Sequence, residues 1–413
     1  MSESINVVMI GPKFCGKTSI LSVMLHDIQD LITRMTAVNA PFPDQAIRPS
    51  LKPVGLSSAV LGATYAKLTN IVAVARKSPN PVDVQDRSVM GYCDVRITPL
   101  VFSLGKCETQ FNFFDFPGGF YSQAQIDRNV EKGYISWSKE EVEQWEGIVR
   151  GADVIVLAID TTVQIGQVPQ LRDRTYYQRI TNLVKDSIKK SKTTLIFAPV
   201  KCEHIVLQYA YEEECEGIRV DFSRAGCVRL IHEIEKLFPE LVSHVRNPDV
   251  WANVNAFFIP MITVGGVKCI GVRYDPKVRE VVSEFSPALT THYVRTPFYT
   301  RNCDKIFALS LFRMYERIKI RRSTGQILPE VWFRDPLEVF VRELAESIDY
   351  KRMCGEYFAA NKENLIEYFQ NAIRDEELKS VYLGHVSEWA NRSAIGVAED
   401  GCWALNPVDM VFG

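Results

Sequence analysis

Residues 11–18 read Gly-Pro-Lys-Phe-Cys-Gly-Lys-Thr, and this stretch decides how the chain folds. Two glycines enclose four residues and are followed by Lys and Thr, which is the pattern of a loop that holds phosphate groups. Gly11 and Gly16 permit backbone angles that a side chain would hinder, so that successive N–H groups can turn inward around an anion. Lys17 is then expected to contact the β- and γ-phosphates of a nucleotide, and the Thr18 hydroxyl to hold Mg²⁺. The nucleotide-binding residues expected in this region are Gly11, Pro12, Lys13, Phe14, Cys15, Gly16, Lys17, Thr18 and Ser19.

The sequence on either side of the loop predicts the strand and the helix that the motif requires. Residues 5–10 are almost wholly apolar over a length that is typical of a buried strand. After Thr18, apolar residues recur at helical spacing, at Ile20, Leu21, Met24, Leu25, Ile28 and Ile32. A helix that begins at the loop also attracts phosphate through its dipole. We therefore interpret the motif as a phosphate loop and not as a chance match in a turn.

A second motif ends another apolar run, because residues 113–119 read Phe-Phe-Asp-Phe-Pro-Gly-Gly. Asp115 is expected at the end of a strand, where its carboxylate would join Thr18 in holding Mg²⁺, acting through a water molecule. The backbone N–H of Gly118 would reach the γ-phosphate. The same residues also form a common turn, but the phosphate loop favours the nucleotide interpretation. Phe116 stands where many ATPases carry a second acidic residue, which favours a switch over an ATPase motor.

Predicted strands alternate with predicted helices as far as about residue 320. This order indicates an α/β protein, a P-loop NTPase three-layer sandwich with a mostly parallel sheet. We expect a P-loop domain at residues 1–322, with a large insertion at about 36–90. Residues 323–413 are expected to form a helical C-terminal extension, which either packs on the sheet domain or forms a small module. A helix start is predicted at Asp335 because Pro336 follows it.

The composition narrows the class of protein. Of the 413 residues, 46% are hydrophobic and 24% are charged, as in ordinary globular proteins. The formal net charge of −2 gives no reason to expect nucleic-acid binding. No apolar run approaches the length of a membrane span. The ten cysteines include no Cys-x-x-Cys pair, so we expect reduced thiols and a cytoplasmic protein.

The order of these motifs resembles the translation-factor-related class of P-loop GTPases (TRAFAC, Ras-like), over residues 5 to about 320. The Asp-x-Pro-Gly form at residues 115–118 and the large insertions also resemble the bacterial double-GTPase-like proteins. The resemblance implies GTP and GDP as ligands and Mg²⁺ as cofactor. In that class, Asn or Thr, then Lys, any residue and Asp read the base after a later strand.

The corresponding segment here departs from that pattern, since residues 200–203 read Val-Lys-Cys-Glu. Glu203 keeps the carboxylate that accepts hydrogen bonds from guanine and adds one methylene. Lys201 would pack its stem on the base. Val200 cannot make the hydrogen bond to the phosphate loop that Asn would make. A surface Lys and Glu after a strand is the alternative interpretation, but we favour guanine recognition by Lys201 and Glu203 because ligands bind after such strands.

These features together predict a GTP-binding switch that hydrolyses GTP slowly and signals its nucleotide state to a protein effector or activator, with self-association as a further option. The catalytic residues implied by the resemblance are Lys17, Gly118 and Gly119. Hydrolysis is expected to be slow because Gly119 stands where the family often has a water-positioning Gln. Two alternatives remain open, an ATP-using enzyme (an ATPase or a kinase) and a nucleotide-binding scaffold without turnover.

Overall fold

The computed structural model describes residues 4–12, 15–38, 49–55, 57–77, 82–84, 96–104, 107–116, 138–161, 174–212, 217–265, 267–275, 280–287, 298–323, 335–354 and 401–406. The strands in these ranges are β1 (Ser4–Ile10), β2 (Pro49–Pro53), β3 (Val82–Val84), β4 (Arg96–Leu104), β5 (Cys107–Asp115), β6 (Val154–Asp160), β7 (Thr193–Val200), β8 (Leu207–Glu212), β9 (Gly217–Phe222), β10 (Val254–Phe258), β11 (Val267–Asp275), β12 (Glu280–Pro287) and β13 (Trp403–Ala404). The helices are α1 (Lys17–Val38), α2 (Ser57–Lys77), α3 (Lys139–Arg150), α4 (Arg174–Lys190), α5 (Glu203–Val206), α6 (Arg224–Leu237), α7 (Pro239–Val245), α8 (Asp304–Ser323), α9 (Asp335–Ser347) and α10 (Tyr350–Cys354), with a 3₁₀ helix at Pro248–Asn253.

An eight-stranded sheet in the order β13-β10-β7-β6-β1-β5-β4-β2 forms the centre of the protein. The strands β10, β7, β6, β1 and β5 run parallel to one another, whereas β4, β2 and β13 are added at the two sides through antiparallel pairs. The mostly parallel α/β sheet predicted from the sequence is therefore confirmed.

Helices cover both faces of this sheet, and β1 shows why. Its alternate side chains point to opposite faces, so Val7 and Met9 join one buried cluster while Val8 and Ile10 join another. The first cluster also contains apolar residues of α1, α2, α8, α9 and α10. The second contains apolar residues of α3, α4, α6 and α7. An apolar run without alternation is thus explained by burial on both sides of the strand.

The described part of the C-terminal region packs on the sheet. Leu337, Phe340 and Leu344 of α9 belong to the same buried cluster as β1 and α8. The strand β13 extends the sheet by pairing with β10, and the Trp403 ring lies 4.4 Å from the Phe258 ring. Leu365, Ile366, Phe369, Ile373 and Leu378 recur at helical spacing and predict a further helix, but these residues lie outside the described ones.

Two small sheets lie outside the central one, and the sequence had not predicted them. One has the order β11-β12-β3, and the other is the hairpin of β8 and β9. The sequence predicts a helix from residue 219 to residue 237, but residues 217–222 form β9 and the helix begins only at Arg224. Ser223 separates the two elements, because its side chain accepts a hydrogen bond from the Gly226 N–H and caps α6.

Among the described residues, no helix has the length and apolar character that crossing a membrane requires.

Candidate functional site

The topology brings four strand ends to one edge of the sheet. Because β1, β5, β6 and β7 are parallel neighbours, their carboxyl ends meet there. The edge carries the loop that starts at Gly11, and the acidic residues Asp115 and Asp160 at the ends of β5 and β6. Lys201 follows β7 directly. Such an edge is where open α/β sheets bind ligands.

Both glycines of the phosphate loop are required by the backbone. A Cβ atom at Gly11 would lie 2.7 Å from the Ala158 carbonyl oxygen and 2.8 Å from the Cys15 sulfur, closer than any side chain allows. Gly16 has a φ of +95°, in the region that favours glycine. Lys13 and Phe14 lie outside the described residues. The two glycines therefore hold the chain in a tight loop that leads from β1 into α1.

Lys17 lies against this loop. The residue is only 8% exposed, and its ammonium group donates to the carbonyl oxygens of Gly11 at 3.1 Å and Pro12 at 3.2 Å. A buried ammonium needs such partners, since an unpaired charge away from water is costly. The positive charge is thus fixed at the place where the motif predicts phosphates.

Thr18 and Asp115 meet next to Lys17. The Thr18 hydroxyl donates to Oδ2 of Asp115 at 2.7 Å, across 97 residues of sequence. Burial raises the pKa of Asp115 above its ordinary value, while the charge of Lys17, the Thr18 hydrogen bond and the charge of Arg96 oppose that shift. Arg96 stands opposite Asp115 in the pairing of β4 with β5.

The chemistry of this pair fits a magnesium site. Hydroxyl and carboxylate oxygens are the ligands that Mg²⁺ takes from proteins at phosphate sites, where substrate oxygens and water supply the rest. The two oxygens are already within hydrogen-bond distance of each other, so one small cation could contact both. Thr18 and Asp115 are therefore suited to hold the metal.

Lys201 and Glu203 occupy the other half of the edge. The Lys201 ammonium donates to Oδ2 of Asp160 at 2.7 Å. Val200, which stands where the class that the sequence resembles carries Asn or Thr, is buried in the core beneath. Glu203 is the first residue of α5 and is only 5% exposed.

The Glu203 carboxyl group is incompletely satisfied. Among the described residues, its Oε2 atom has no hydrogen-bond partner. Burial raises the pKa of Glu203 to about 7, against the opposing effects of its own backbone N–H and of Lys201, while the charge of Asp160 adds to the rise. A buried oxygen without a donor costs about 1–3 kcal/mol, so a ligand that supplies a donor would relieve this cost.

Two residues of the edge were missed by the sequence reasoning, Asp160 and Thr161. Asp160 is 1% exposed and pairs with Lys201. The Thr161 hydroxyl lies 3.1 Å from the Val200 carbonyl oxygen and 2.9 Å from the Lys201 carbonyl oxygen. The sequence did contain a signal for Asp160, since this carboxylate ends the apolar strand β6 just as Asp115 ends β5.

Other predicted site residues stay untested by this geometry. Gly118 and Gly119 lie outside the described residues. Ser19 lies in the first turn of α1, beside Thr18. The described residues therefore bring together Lys17, Thr18 and Asp115, and separately Lys201 and Glu203.

Comparison with solved structures finds GTP-binding folds at very low similarity. The signal recognition particle receptor SRb-GTP/SRX complex from Chaetomium thermophilum is 10% identical, with 64% of this chain and 93% of that chain covered and a TM-score of 0.29. The S. cerevisiae Ski7 GTPase-like domain bound to GTP is 13% identical, with 76% and 51% covered and a TM-score of 0.28. A septin GTPase domain from Chlamydomonas reinhardtii is 11% identical, with 83% and 99% covered and a TM-score of 0.26. Likenesses of this size do not bear on function.

No protein-family model matches the chain, and no curated protein matches it.

Proposed function

We propose that this chain binds GTP and GDP with Mg²⁺ at the carboxyl edge of its parallel sheet and hydrolyses GTP slowly. The observation that carries the proposal is the hydrogen bond between Thr18 and Asp115 beside the buried ammonium of Lys17. Two groups from the first turn of α1 and one from the end of β5 thus place one positive charge and two oxygen ligands next to a glycine-bounded loop. A nucleotide polyphosphate is the ligand that needs this combination.

The base side supports guanine. Guanine presents two adjacent donors, N1–H and the N2 amino group, and adenine offers no such pair. The Oε2 atom of Glu203 is a buried acceptor without a donor among the described residues. Two donors from guanine would satisfy the carboxylate, and Lys201 would lie along the base with its ammonium on Asp160.

The residues at the phosphate end account for slow hydrolysis. Bound Mg²⁺, held by Thr18 and Asp115, would neutralise phosphate charge. Lys17 would move its donors from the loop carbonyls to the phosphate oxygens. We place the Gly118 N–H at the γ-phosphate, and Gly119 there offers no side chain to orient water. The intrinsic rate is therefore low, because positioned groups supply most of the acceleration in phosphoryl transfer.

We further propose that the chain acts as a switch of the translation-factor-related class. In this proposal residues 1–322 form the nucleotide domain and residues 323–413 the extension. Loss of the γ-phosphate would be sensed near Gly118 and passed to a protein effector or activator, or to a second copy. A cytoplasmic setting, where GTP and Mg²⁺ are abundant, suits this role.

Calorimetric titration with GTP, GDP, ATP and ADP, each with Mg²⁺ and with a chelator, tests the proposal. We expect GTP and GDP to bind more tightly than the adenine nucleotides, and Mg²⁺ to strengthen GTP binding. Tighter binding of ATP would favour the ATP-using enzyme, and no binding would reject a nucleotide site. Phosphate release from GTP should be slow and should depend on Mg²⁺, whereas its complete absence would indicate a scaffold without turnover.

A further inference from the structure

A buried ion pair joins the ends of two neighbouring strands. It lies in the half of the site that carries Asp160, Lys201 and Glu203, which we call the base half. The Asp160 side chain is 2% exposed and the Lys201 side chain 15%, with Oδ2 and Nζ 2.7 Å apart. Asp160 is the residue opposite Val200 in the pairing of β6 with β7. Lys201 is therefore the first residue beyond the sheet, and its side chain turns back to the neighbouring strand.

The backbone of Lys201 needs this support. Its φ is 56°, in the left-handed region that residues other than glycine rarely adopt. The Thr161 hydroxyl, next to Asp160 in sequence, lies within hydrogen-bond distance of the carbonyl oxygens of Val200 and Lys201. Asp160 and Thr161, at the end of β6, thus hold the side chain and the backbone of Lys201. Contacts from a neighbouring strand therefore stabilise the strained backbone conformation of Lys201.

The pair influences both halves of the site. Burial raises the pKa of the Cys15 thiol in the phosphate loop, where the charge of Asp160 adds to the rise and that of Lys201 opposes it. Burial also raises the pKa of the Glu203 carboxyl group, and there too Asp160 adds to the rise and Lys201 opposes it. The Val200 side chain cannot form a hydrogen bond that would link residues 200–203 to the phosphate loop. Asp160 and Thr161, at the end of β6, hold these residues in place instead.

We infer that Asp160 is a positioning residue for base recognition, acting through Lys201. The inference rests on the proposed guanine-nucleotide function and adds to it a residue outside the expected motif. Asp160 fixes where the Lys201 stem runs and how the backbone enters α5, and thereby where the Glu203 carboxylate faces the base. In the proposed site, phosphate binding rests on Lys17 and Thr18, whose hydrogen bonds go to Gly11, Pro12 and Asp115 and do not involve Asp160.

The test compares GDP and ADP affinities, by calorimetry, in the full chain and in Asp160→Asn. The amide keeps the shape of the side chain and removes its charge. We expect GDP affinity to fall about tenfold or more and ADP affinity to change far less. The ratio of GDP affinity to ADP affinity (the GDP:ADP ratio) should therefore fall. In a Lys201→Ala background, Asp160→Asn should add little further loss, because the partner through which Asp160 acts is gone.

Asp153→Asn is the matched control. Asp153 lies at the opposite end of β6 and accepts from Arg317 at 2.7 Å, so the variant removes a similar ion pair far from the edge. Its GDP:ADP ratio should equal that of the wild type. Equal ratios in Asp160→Asn and Asp153→Asn would overturn the inference, as would additive losses from Asp160→Asn and Lys201→Ala.

A third variant and the wild type complete the design. If Asp160→Asn does not fold, Asp160→Glu keeps the charge and moves it by one methylene, and the GDP:ADP ratio should still fall. An unchanged ratio in that variant would also overturn the inference. A wild-type chain that binds no guanine nucleotide would reject the proposed function and the inference together, which separates that failure from the failure of Asp160 alone.

Discussion

The two halves of the site are built in different ways. The phosphate half consists of the loop from Gly11 to Thr18 with Asp115, and the base half consists of Asp160, Lys201 and Glu203. In the phosphate half, the loop from Gly11 to Thr18 is contiguous in sequence, and among the described residues Asp115 joins it from 97 residues away. In the base half, Lys201 pairs with Asp160 at a separation of 41 residues, and Glu203 starts a separate short helix. One half is therefore local and the other is assembled from two strands.

Under the proposed function, this difference separates affinity from selectivity. Loop N–H groups, an ammonium and Mg²⁺ would bind the polyphosphate of any nucleotide, so the phosphate half would supply binding without choice of base. A carboxylate that accepts two donors would distinguish guanine from adenine, so the base half would supply choice. Changes in the first half should weaken all nucleotides together, and changes in the second should alter the GDP:ADP ratio.

The largest effect is expected for Lys17→Ala. This variant removes the positive charge at the β- and γ-phosphates, and GTP affinity should fall about a hundredfold. ATP should lose a similar factor from its own affinity. Calorimetry measures both losses, with Lys236→Ala as control because that lysine is exposed on α6. Unchanged GTP affinity in Lys17→Ala would contradict the phosphate half of the account.

Glu203→Gln should have the next largest effect, and only on guanine nucleotides. The amide brings an N–H group toward the guanine donors, so GDP affinity should fall about thirtyfold while ADP affinity stays the same. Glu240→Gln on α7 is the control, since that half-exposed carboxylate lies away from the edge. Equal losses for GDP and ADP would show that Glu203 supports the fold and does not read the base.

Thr18→Ala should affect the response to Mg²⁺. The variant removes one of the two oxygen ligands, so the strengthening of GTP binding by Mg²⁺ should shrink about tenfold. Affinity measured with a chelator should stay close to that of the wild type. Thr33→Ala, on the exposed side of α1, is the control. A full Mg²⁺ response in Thr18→Ala would place the metal elsewhere.

The smallest effect is a pH dependence of selectivity. Because burial raises the pKa of Glu203 to about 7, the group gains its acceptor charge as the pH rises through that value. The GDP:ADP ratio should rise about threefold between pH 6.5 and 7.5. The terminal phosphates of GDP and ADP titrate alike, so their effects on the two affinities cancel in the ratio. The ratio for Glu203→Gln should be flat over this range. A falling ratio in the wild type would contradict the assignment.

The raised pKa of Glu203 also makes the stability of the protein without ligand depend on pH. Stability should fall as the pH rises, whereas the GDP:ADP ratio should rise. Between pH 4.5 and about 7 the folded protein keeps the Glu203 proton that the unfolded chain has released. The contribution of Glu203 to the free energy of unfolding is therefore complete below pH 4.5 and is lost as the pH rises toward 7. Denaturant titrations of wild type and Glu203→Gln across this window measure the difference.

The fold and the phosphate half could be predicted because their determinants are local. Apolar runs predicted β1, β5, β6 and β7, and burial on both faces explains why β6 and β7 show no alternation of apolar and polar residues. The glycine spacing identified the loop, and a carboxylate at a strand end identified Asp115. Parallel neighbours then bring Thr18 and Asp115 together without further information.

The rest depends on contacts that no local pattern encodes. The ion pair of Asp160 with Lys201 arises only when β6 and β7 lie side by side. The strand β13 has only two residues and exists because β10 offers a free edge. The boundary between β9 and α6 is different, since a local pattern was present and the prediction of a helix from residue 219 overlooked it: Ile218, Val220 and Phe222 alternate as in a strand, and Ser223 caps the helix after them.

A crystal structure of the chain with a non-hydrolysable GTP analogue and Mg²⁺ is the decisive measurement of the proposed site. We expect the β- and γ-phosphates over the loop from Gly11 to Thr18, with Lys17 on their oxygens and Mg²⁺ at Thr18 and Asp115. We also expect the guanine N1–H and N2 amino group at the Glu203 carboxylate. Phosphates bound away from this loop, or a base whose edge faces away from Glu203, would contradict the proposed site.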